Sequence, residues 1–387
     1  MRVLFSSTWG HGHIFPMVPL ARAFLALGHE VRWATSGDSS ALVNEAGIAA
    51  IPAGMPATAI GALVTGTHAE MTGVRPEDRA GFVFPRMFGA AATPAMLADL
   101  LPIARAWQPQ LLVHEHAELA APLVGALLGI PAVTHAFGGA IPVAIVDDAA
   151  DRLASLWAEH GLSIPEHAGC FVGPYLDICP RAVQTVSMDH IPVVQPLRPV
   201  SYTGGPSSVK PGVLPSPGGR LVYVTLGTVR GQSQNQVAVL RAAIESLRSF
   251  DVRILVTVGP GGDPGALGPQ PPHVTVARYV SQTEVLPRAN AVVSHAGSGT
   301  VLGALAGGLP QLCLPQAADQ FRNSRGVTTA GAGLSLHPDE ATPYAIGVSL
   351  RGILHDESFR RAAVGIADDI RAMPSPDLVA AELASLT

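Results

Sequence analysis

Residues 291–310 read AVVSHAGSGTVLGALAGGLP, and the way this stretch folds decides the architecture. A short apolar run ends at Ser294, Gly297 and Gly299 open the backbone, and a helical segment begins near Gly299. A strand passing to a helix through a glycine turn is the βα unit of a parallel sheet. Helix N-termini carry unpaired amides and a partial positive charge, so such a turn is a natural seat for a phosphate or diphosphate. Ser298 and Thr300 add hydroxyls there and His295 a ring donor. The spacing is neither GxGxxG nor GxxxxGK[ST], so the dinucleotide and P-loop readings lose ground. A glycine turn built only for packing would give the same pattern.

Outward from this turn the same alternation continues. RLVYVTLGT (220–228), DVRILVTVG (251–259), HVTVARYV (273–280) and GLPQLCLPQ (308–316) are strand-like runs between helical stretches. A second series fills the first half: RVLFSS (2–7), EVRWAT (30–35), PQLLVHEH (109–116) and IPAVTHA (130–136). Proline, glycine and serine dominate 203–219, the composition of a linker. The organisation predicted is therefore a domain over 1–203, a linker over 204–219, a second domain over 220–370, and a C-terminal helix over 371–387 that crosses back to the first domain. Residues 54–95 break the alternation, and Phe82, Phe84, Met87 and Phe88 there fit either buried helix packing or an apolar pocket wall.

The composition narrows the partners. At 387 residues the chain has room for about two domains. Charged residues make up only 14% against 48% hydrophobic, which leaves room for extensive apolar pockets. A net charge of −5 argues against nucleic acid. Three cysteines without a CxxC imply neither a disulfide framework nor a zinc site. With no basic and apolar leader and no run of 18 apolar residues, a cytoplasmic protein with no membrane span is expected.

The first strand runs into TWGHGHIFP (8–16), which places His11 and His13 beside Gly10 and Gly12 at a strand-to-helix turn. LLVHEHAEL (111–119) crowds His114, Glu115, His116 and Glu118 at another strand end. A metal site there is disfavoured, because consecutive strand residues face opposite ways and no HExxH spacing occurs.

These elements, in this order, resemble the GT-B nucleotide-sugar glycosyltransferases, and among them the actinobacterial natural-product (antibiotic) enzymes. The resemblance covers essentially the whole chain. It is carried by Tyr279-Val280-Ser281-Gln282, His295-Ala296-Gly297-Ser298-Gly299-Thr300, Asp319-Gln320 and the GHIFP of the first turn. Two residues depart from the usual pattern: Tyr279 replaces a tryptophan and Ser281 a proline. The resemblance implies an α/β fold of two Rossmann-like parallel-sheet domains facing a deep interdomain cleft. It also implies an inverting enzyme that moves a deoxysugar from a dTDP- or UDP-sugar to a hydrophobic aglycone such as a polyketide, enediyne or macrolide.

Carried over by position, Tyr279 stacks on the nucleobase and Val280 offers it backbone hydrogen bonds. Gln282 lies in the same motif. His295, Gly297, Ser298, Gly299 and Thr300 hold the diphosphate, with Gly227 and Thr228 touching the phosphates and Asp319 and Gln320 the sugar. His13 is the general base, a role suited to a group that titrates near neutrality, and Glu115 or Glu118 orients it. Phe82, Phe84, Met87, Phe88 and His135 are the acceptor residues. No cofactor is expected beyond the sugar nucleotide, and no metal, since the chain contains no Asp-x-Asp pair. A monomer and a homodimer both remain open. The alternatives are a MurG-like transferase acting on a lipid-linked cell-wall precursor, which would want a basic membrane-facing patch, and a nucleotide-sugar epimerase on the same fold. A non-catalytic sugar-binding module is a further one.

Overall fold

The opening strand β1 (Arg2–Ser7) is buried from Val3 onward on both faces, as a central parallel strand must be. It pairs with β2 (Glu30–Thr35) on one side and β4 (Leu111–Glu115) on the other. With β3 (Ala49–Pro52), β5 (Ala132–His135), β6 (Tyr175–Asp177) and β7 (Val194–Pro196), they form an all-parallel sheet of order β3-β2-β1-β4-β5-β6-β7. Chain order runs outward in both directions from the β1/β4 pair. In open α/β sheets, ligands bind beyond the strand ends at such a reversal. Thr8–His13 leaves β1 there, and Glu115 ends β4 beside it.

The chain is represented by a computed structural model that describes residues 1–204, 219–227, 234–248 and 250–385. It divides into two compact units. Unit 1 holds Met1–Cys179, Val186–Tyr202 and Met373–Thr387, and unit 2 holds Pro180–Thr185 and Thr203–Ala372. Nearly all of the expected linker, residues 205–218, lies outside the described residues.

The expectation of one continuous first domain over 1–203 needs a correction, because Pro180–Thr185 packs in unit 2. The turn Arg181–Val183 lies on the helix Gln320–Thr329. A Cβ at Gly326 would sit 2.3 Å from the Val183 carbonyl oxygen, so only glycine admits this approach. The C-terminal helix Pro376–Ser385 packs on the helix Val18–Ala26 of unit 1. Arg198 holds its approach by donating from its guanidinium to the Met373 carbonyl, at 3.1 and 3.0 Å.

Unit 2 repeats the plan. The strands β8 (Leu221–Thr225), β9 (Arg253–Thr257), β10 (Val274–Ala277), β11 (Ala291–Ser294), β12 (Gln311–Cys313) and β13 (Gly333–Ser335) are all parallel, in the order β10-β9-β8-β11-β12-β13. Alternate residues feed two cores. Val222, Val224, Ile254 and Val293 pack on one face, and Leu221, Tyr223, Leu255 and Val292 on the other. The reversal lies between β8 and β11, where Gly227 and His295 leave the sheet.

Residues 54–95 fold as helices. Ala57–Glu70 and Arg79–Phe84 are followed by a π-helical stretch, Pro85–Ala92, that runs into the helix Thr93–Trp107. Although the chain has no 18 consecutive apolar residues, the helical run Pro76–Trp107 is long and apolar enough to cross a membrane by length and average composition. Arg86, Gly89, Thr93, Pro94, Asp99 and Pro102 interrupt the run when consecutive apolar residues are counted. Half of its most apolar window is buried inside the protein, as in a core helix.

Candidate functional site

In unit 1 the chain leaves β1 through Gly10, whose φ of 96° is open to glycine and strained for other residues. The Gly10 amide donates to Ser39 Oγ at 3.1 Å. The following turn, His11–Ile14, buries Ile14 and turns His13 toward the end of β4. There His13 Nδ1 lies 2.9 Å from Glu115 Oε1.

Glu115 is completely buried. Its Oε1 also accepts from the Ala117 amide at 2.8 Å, and its Oε2 from Thr8 Oγ at 2.9 Å and the Thr8 amide at 3.2 Å. Burial pushes its pKa up, but the charge and hydrogen bond of His13 and the donors of Ala117 and Thr8 outweigh this and hold it below the ordinary value. An ionised carboxylate only accepts, so the His13 proton in the neutral ring sits on Nδ1 and its lone pair on Nε2. This is the tautomer a general base needs.

The carboxylate facing His13 is therefore Glu115. Glu118 is committed elsewhere, accepting from Ser6 Oγ at 2.5 Å and from the Ala120 amide at 2.7 Å. Burial pushes its pKa up to about 7. His114 is buried too, with Nδ1 2.8 Å from the Glu118 carbonyl and Nε2 3.0 Å from Thr134 Oγ1, and burial takes it down to about 4. His116 packs edge-on against Phe171 and Tyr175. Among the described residues, no three His, Cys, Asp or Glu side chains are placed to hold a metal ion.

The His13 ring lies between Phe88, at 5.4 Å, and Phe137, at 4.9 Å between centroids. Phe88 also meets Trp9 and Phe84. Of the expected acceptor residues, Phe88 alone reaches the dyad in this way. Phe84 and Met87 are buried in the helical packing, and Phe82 lies under the Arg86 guanidinium. His135 needs correction: it is wholly buried on β5, with Nδ1 2.5 Å from the Ala136 carbonyl, and has no surface with which to touch an acceptor. Sequence reading missed Phe137 and Trp9. The available signal was an aromatic side chain next to glycines at a strand end, in THAFGG and TWGHG.

In unit 2, β11 ends at Ser294 and the helix Ser298–Ala306 begins behind Gly297. The first amides of such a helix have no partners inside it. The His295 ring is wedged between two glycines. A Cβ at Gly227 would lie 2.7 Å from His295 Cε1, and one at Gly297 2.5 Å from Nε2. His295 Nδ1 is buried without a hydrogen-bond partner. Burial lowers the ring to about 4 against the opposing pull of Asp319, so it is neutral at pH 7. Ala296, at a φ of 61°, holds a backbone conformation that costs a residue with a Cβ about 1 kcal/mol.

Of the other residues expected to bind the donor, Gln282 and Asp319 bond to the start of the helix behind this loop. Gln282 Nε2 donates to Thr300 Oγ1 at 2.8 Å. Asp319 Oδ2 accepts from Ser298 Oγ at 2.7 Å and from Asn323 Nδ2 at 2.8 Å, and Asn323 also donates to the Ala296 carbonyl at 2.9 Å. Asn323, unnoticed in the sequence, thus joins the glycine turn to the Asp319 helix. Gln320 Oε1 closes its own loop by accepting from the Gln316 and Ala317 amides. The Tyr279 hydroxyl donates to the Thr203 carbonyl at 2.5 Å, and Val280 is buried. Ser281 uses its hydroxyl where a proline could not, 2.6 Å from both Thr203 Oγ1 and Thr283 Oγ1. Gly227 carries a φ of 85°, and Thr228 lies outside the described residues.

Comparison with known proteins agrees with both halves. Models of the erythromycin biosynthesis protein CIII-like family match the chain, the N-terminal domain over residues 22–227 and the C-terminal domain over 241–386. The L-demethylnoviosyl transferase of Streptomyces niveus is 33% identical, over 100% of this chain and 98% of its own. The elloramycin glycosyltransferase ElmGT of Streptomyces olivaceus is 35% identical, over 99% and 97%. The crystal structure of the glycosyltransferase SnogD from Streptomyces nogalater superposes with a TM-score of 0.80 at 30% identity, covering 100% of this chain and 99% of its own. With two parallel-sheet α/β units and matches along its whole length, the chain belongs to the erythromycin CIII-like family of GT-B antibiotic glycosyltransferases.

Proposed function

We propose that the protein transfers a deoxysugar from a dTDP-sugar to a hydroxyl group of a hydrophobic natural-product aglycone, with inversion and without a metal ion. The observation that carries this reading is the 2.9 Å contact of His13 Nδ1 with a buried Glu115 whose other lone pairs are already engaged. His13 Nε2 takes the acceptor proton as the acceptor oxygen bonds to the anomeric carbon. The bond from that carbon to the diphosphate breaks, and the nucleotide leaves with the electron pair. Attack opposite the leaving group inverts the anomeric centre. Glu115 stabilises the imidazolium that forms, as the carboxylate does in a catalytic triad.

In unit 2, the amides at the start of the helix Ser298–Ala306, together with His295, receive the diphosphate, and fixed dipoles there stabilise its developing charge. Tyr279 stacks on the base. The dTDP preference is supported by the glycosyltransferase VinC, whose structure was solved in complex with dTDP. The deoxysugar is supported by relatives such as the aclacinomycin-T 2-deoxy-L-fucose transferase.

Calorimetry of dTDP, UDP and NAD against the wild type and His295→Ala tests the donor half. Expected are dTDP binding tighter than UDP, none for NAD, and a clear loss in the variant. Binding indifferent to His295 would overturn the donor assignment. His13→Ala should bind dTDP normally and transfer no sugar.

A further inference from the structure

In unit 2, two residues of the Tyr279–Gln282 stretch converge on Thr203, which lies 76 and 78 residues before them in the chain. The Tyr279 hydroxyl donates to the Thr203 carbonyl at 2.5 Å, and Thr203 Oγ1 lies 2.6 Å from Ser281 Oγ. Ser281 Oγ in turn lies 2.6 Å from Thr283 Oγ1, so a chain of three hydroxyls runs from Thr203 through Ser281 to Thr283.

The local backbone does not account for this arrangement. Ser281 is the N-cap residue of the helix Gln282–Val285, yet its side chain caps no amide of that helix, the usual use of a serine there. Its φ is −59°, the value to which proline is locked, so a proline would suit this φ and what the serine contributes is its hydroxyl. Ser281 is 3% exposed, and a hydroxyl so buried needs partners inside the protein. It finds them in Thr203 and Thr283.

The Tyr279 ring is held at both ends, by its Cβ and by its hydroxyl. A swing about χ1 carries the hydroxyl away from the Thr203 carbonyl, so the bond keeps the ring in one χ1 well. The next residue, Val280, is buried in the apolar cluster of Tyr223, Leu255 and Val292. The segment behind the ring is therefore fixed by packing at Val280 and by the hydroxyl chain at Ser281.

We propose that Thr203 is a positioning residue for the nucleobase: its carbonyl sets the direction of the Tyr279 ring, and its hydroxyl, through Ser281, holds the backbone behind that ring. The inference rests on the proposed stacking of Tyr279 on the base. Thr203 acts through a ring ordered in advance, which spares the cost of ordering it when the nucleotide binds. Loss of either bond weakens ligands that carry a base and spares those that do not.

Calorimetry of dTDP on the full-length protein, with inorganic pyrophosphate as a competitor that has no base, reads this out. Tyr279→Phe keeps the ring and removes the tie. It should weaken dTDP about three- to tenfold, the range for one neutral hydrogen bond, and leave pyrophosphate unchanged. Thr203→Val removes the hydroxyl at nearly constant shape and should weaken dTDP about threefold. Thr203→Ser should restore the wild-type affinity. Tyr279→Ala removes the ring as well and should weaken dTDP further than Tyr279→Phe does. The proposal is overturned if Tyr279→Phe and Thr203→Val bind dTDP as wild type does, if dTDP and pyrophosphate weaken alike, or if Thr203→Ser behaves as Thr203→Val. Equal dTDP affinity in wild type and Tyr279→Ala would instead sink the stacking reading itself, on which the proposal stands.

Discussion

Replacing Glu115 by glutamine changes one oxygen to an NH2 and removes one charge, at a site where every neighbour is a donor. Two orientations are open to the new amide. With the NH2 at the Oε1 position it opposes the Ala117 amide, which now donates at 2.8 Å, and His13 must turn Nδ1 into an acceptor. The ring proton then moves to Nε2 and the base is lost. With the NH2 at the Oε2 position it opposes the Thr8 amide, a longer bond of 3.2 Å, while Thr8 Oγ can rotate to accept. The second orientation sacrifices less and keeps the His13 tautomer, so it should prevail.

Either way one buried backbone amide loses its partner, at about 1–3 kcal/mol. That corresponds to a fall in Tm of about 2–4 °C per kcal/mol for a unit of this size. The imidazolium formed during transfer also loses its counter-ion. At a charge separation of about 4 Å and an effective dielectric constant of about 20 this is worth up to about 4 kcal/mol, and a factor of ten in rate corresponds to about 1.4 kcal/mol. The expected fall in kcat/KM for sugar transfer is therefore about 10²–10³-fold, with dTDP affinity unchanged. A wrong tautomer would deepen the loss toward about 10⁴-fold. Glu115→Gln transferring sugar within tenfold of wild type would refute the assignment of His13 as base and Glu115 as its partner.

Four further outcomes follow from the same geometry. Glu118 has a folded pKa of about 7 against an ordinary 4.5, so its stabilising contribution is complete below pH 4.5 and is lost as pH rises through 7. Urea unfolding should show wild type losing about 1.4 kcal/mol per pH unit relative to Glu118→Gln over that window, on the order of 3 kcal/mol in all, and a flat difference would count against it. Gly297→Ala puts a methyl 2.5 Å from His295 Nε2 and should displace the ring, weakening dTDP at least tenfold by calorimetry while circular dichroism stays native. Asn323→Ala removes the donor shared by the Ala296 carbonyl and Asp319 and should lower stability by about 1–3 kcal/mol and loosen dTDP. His295, held near 4 by burial, should gain a proton when a diphosphate arrives. Calorimetry in buffers of different ionisation heat should then record proton uptake that grows as pH falls from 7 to 5 and is absent in His295→Ala.

The architecture was legible because central parallel strands buried on both faces leave continuous apolar runs, and β1, β4 and β8 are such strands. The dyad was half legible. Glu115 and Glu118 are three residues apart, and only the backbone turn after β4, which sends Glu118 to Ser6 and Ala120, separates their roles. His135 misled because a histidine at a strand end reads the same whether it faces solvent or the packed interior. Phe88 could not be singled out from Phe84 and Met87, since the π-helical turn over Pro85–Ala92 shifts the phase on which helical periodicity depends. Pro180–Thr185 was invisible for a different reason: its place in unit 2 depends on a carbonyl approaching a distant glycine, and no local pattern encodes that.

Both sheets place a histidine at their reversal, after β1 in unit 1 and after β11, the counterpart of β4, in unit 2, and the surroundings of the two rings differ in character. His13 follows the central strand β1 and presents Nδ1 to an ionised carboxylate from the neighbouring β4. That partner favours the charged ring, so a proton arriving at Nε2 is stabilised as it arrives. His295 follows β11 beside the central β8, but its neighbours are two glycines, which bring backbone close and contribute no charge. Burial keeps that ring neutral until an anion approaches. Under the proposed function, the first environment suits a ring that takes a proton and the second a ring that answers an approaching anion. The sequence difference behind this division is small: a glutamate at the end of the adjoining strand in one unit, and glycines flanking the ring in the other.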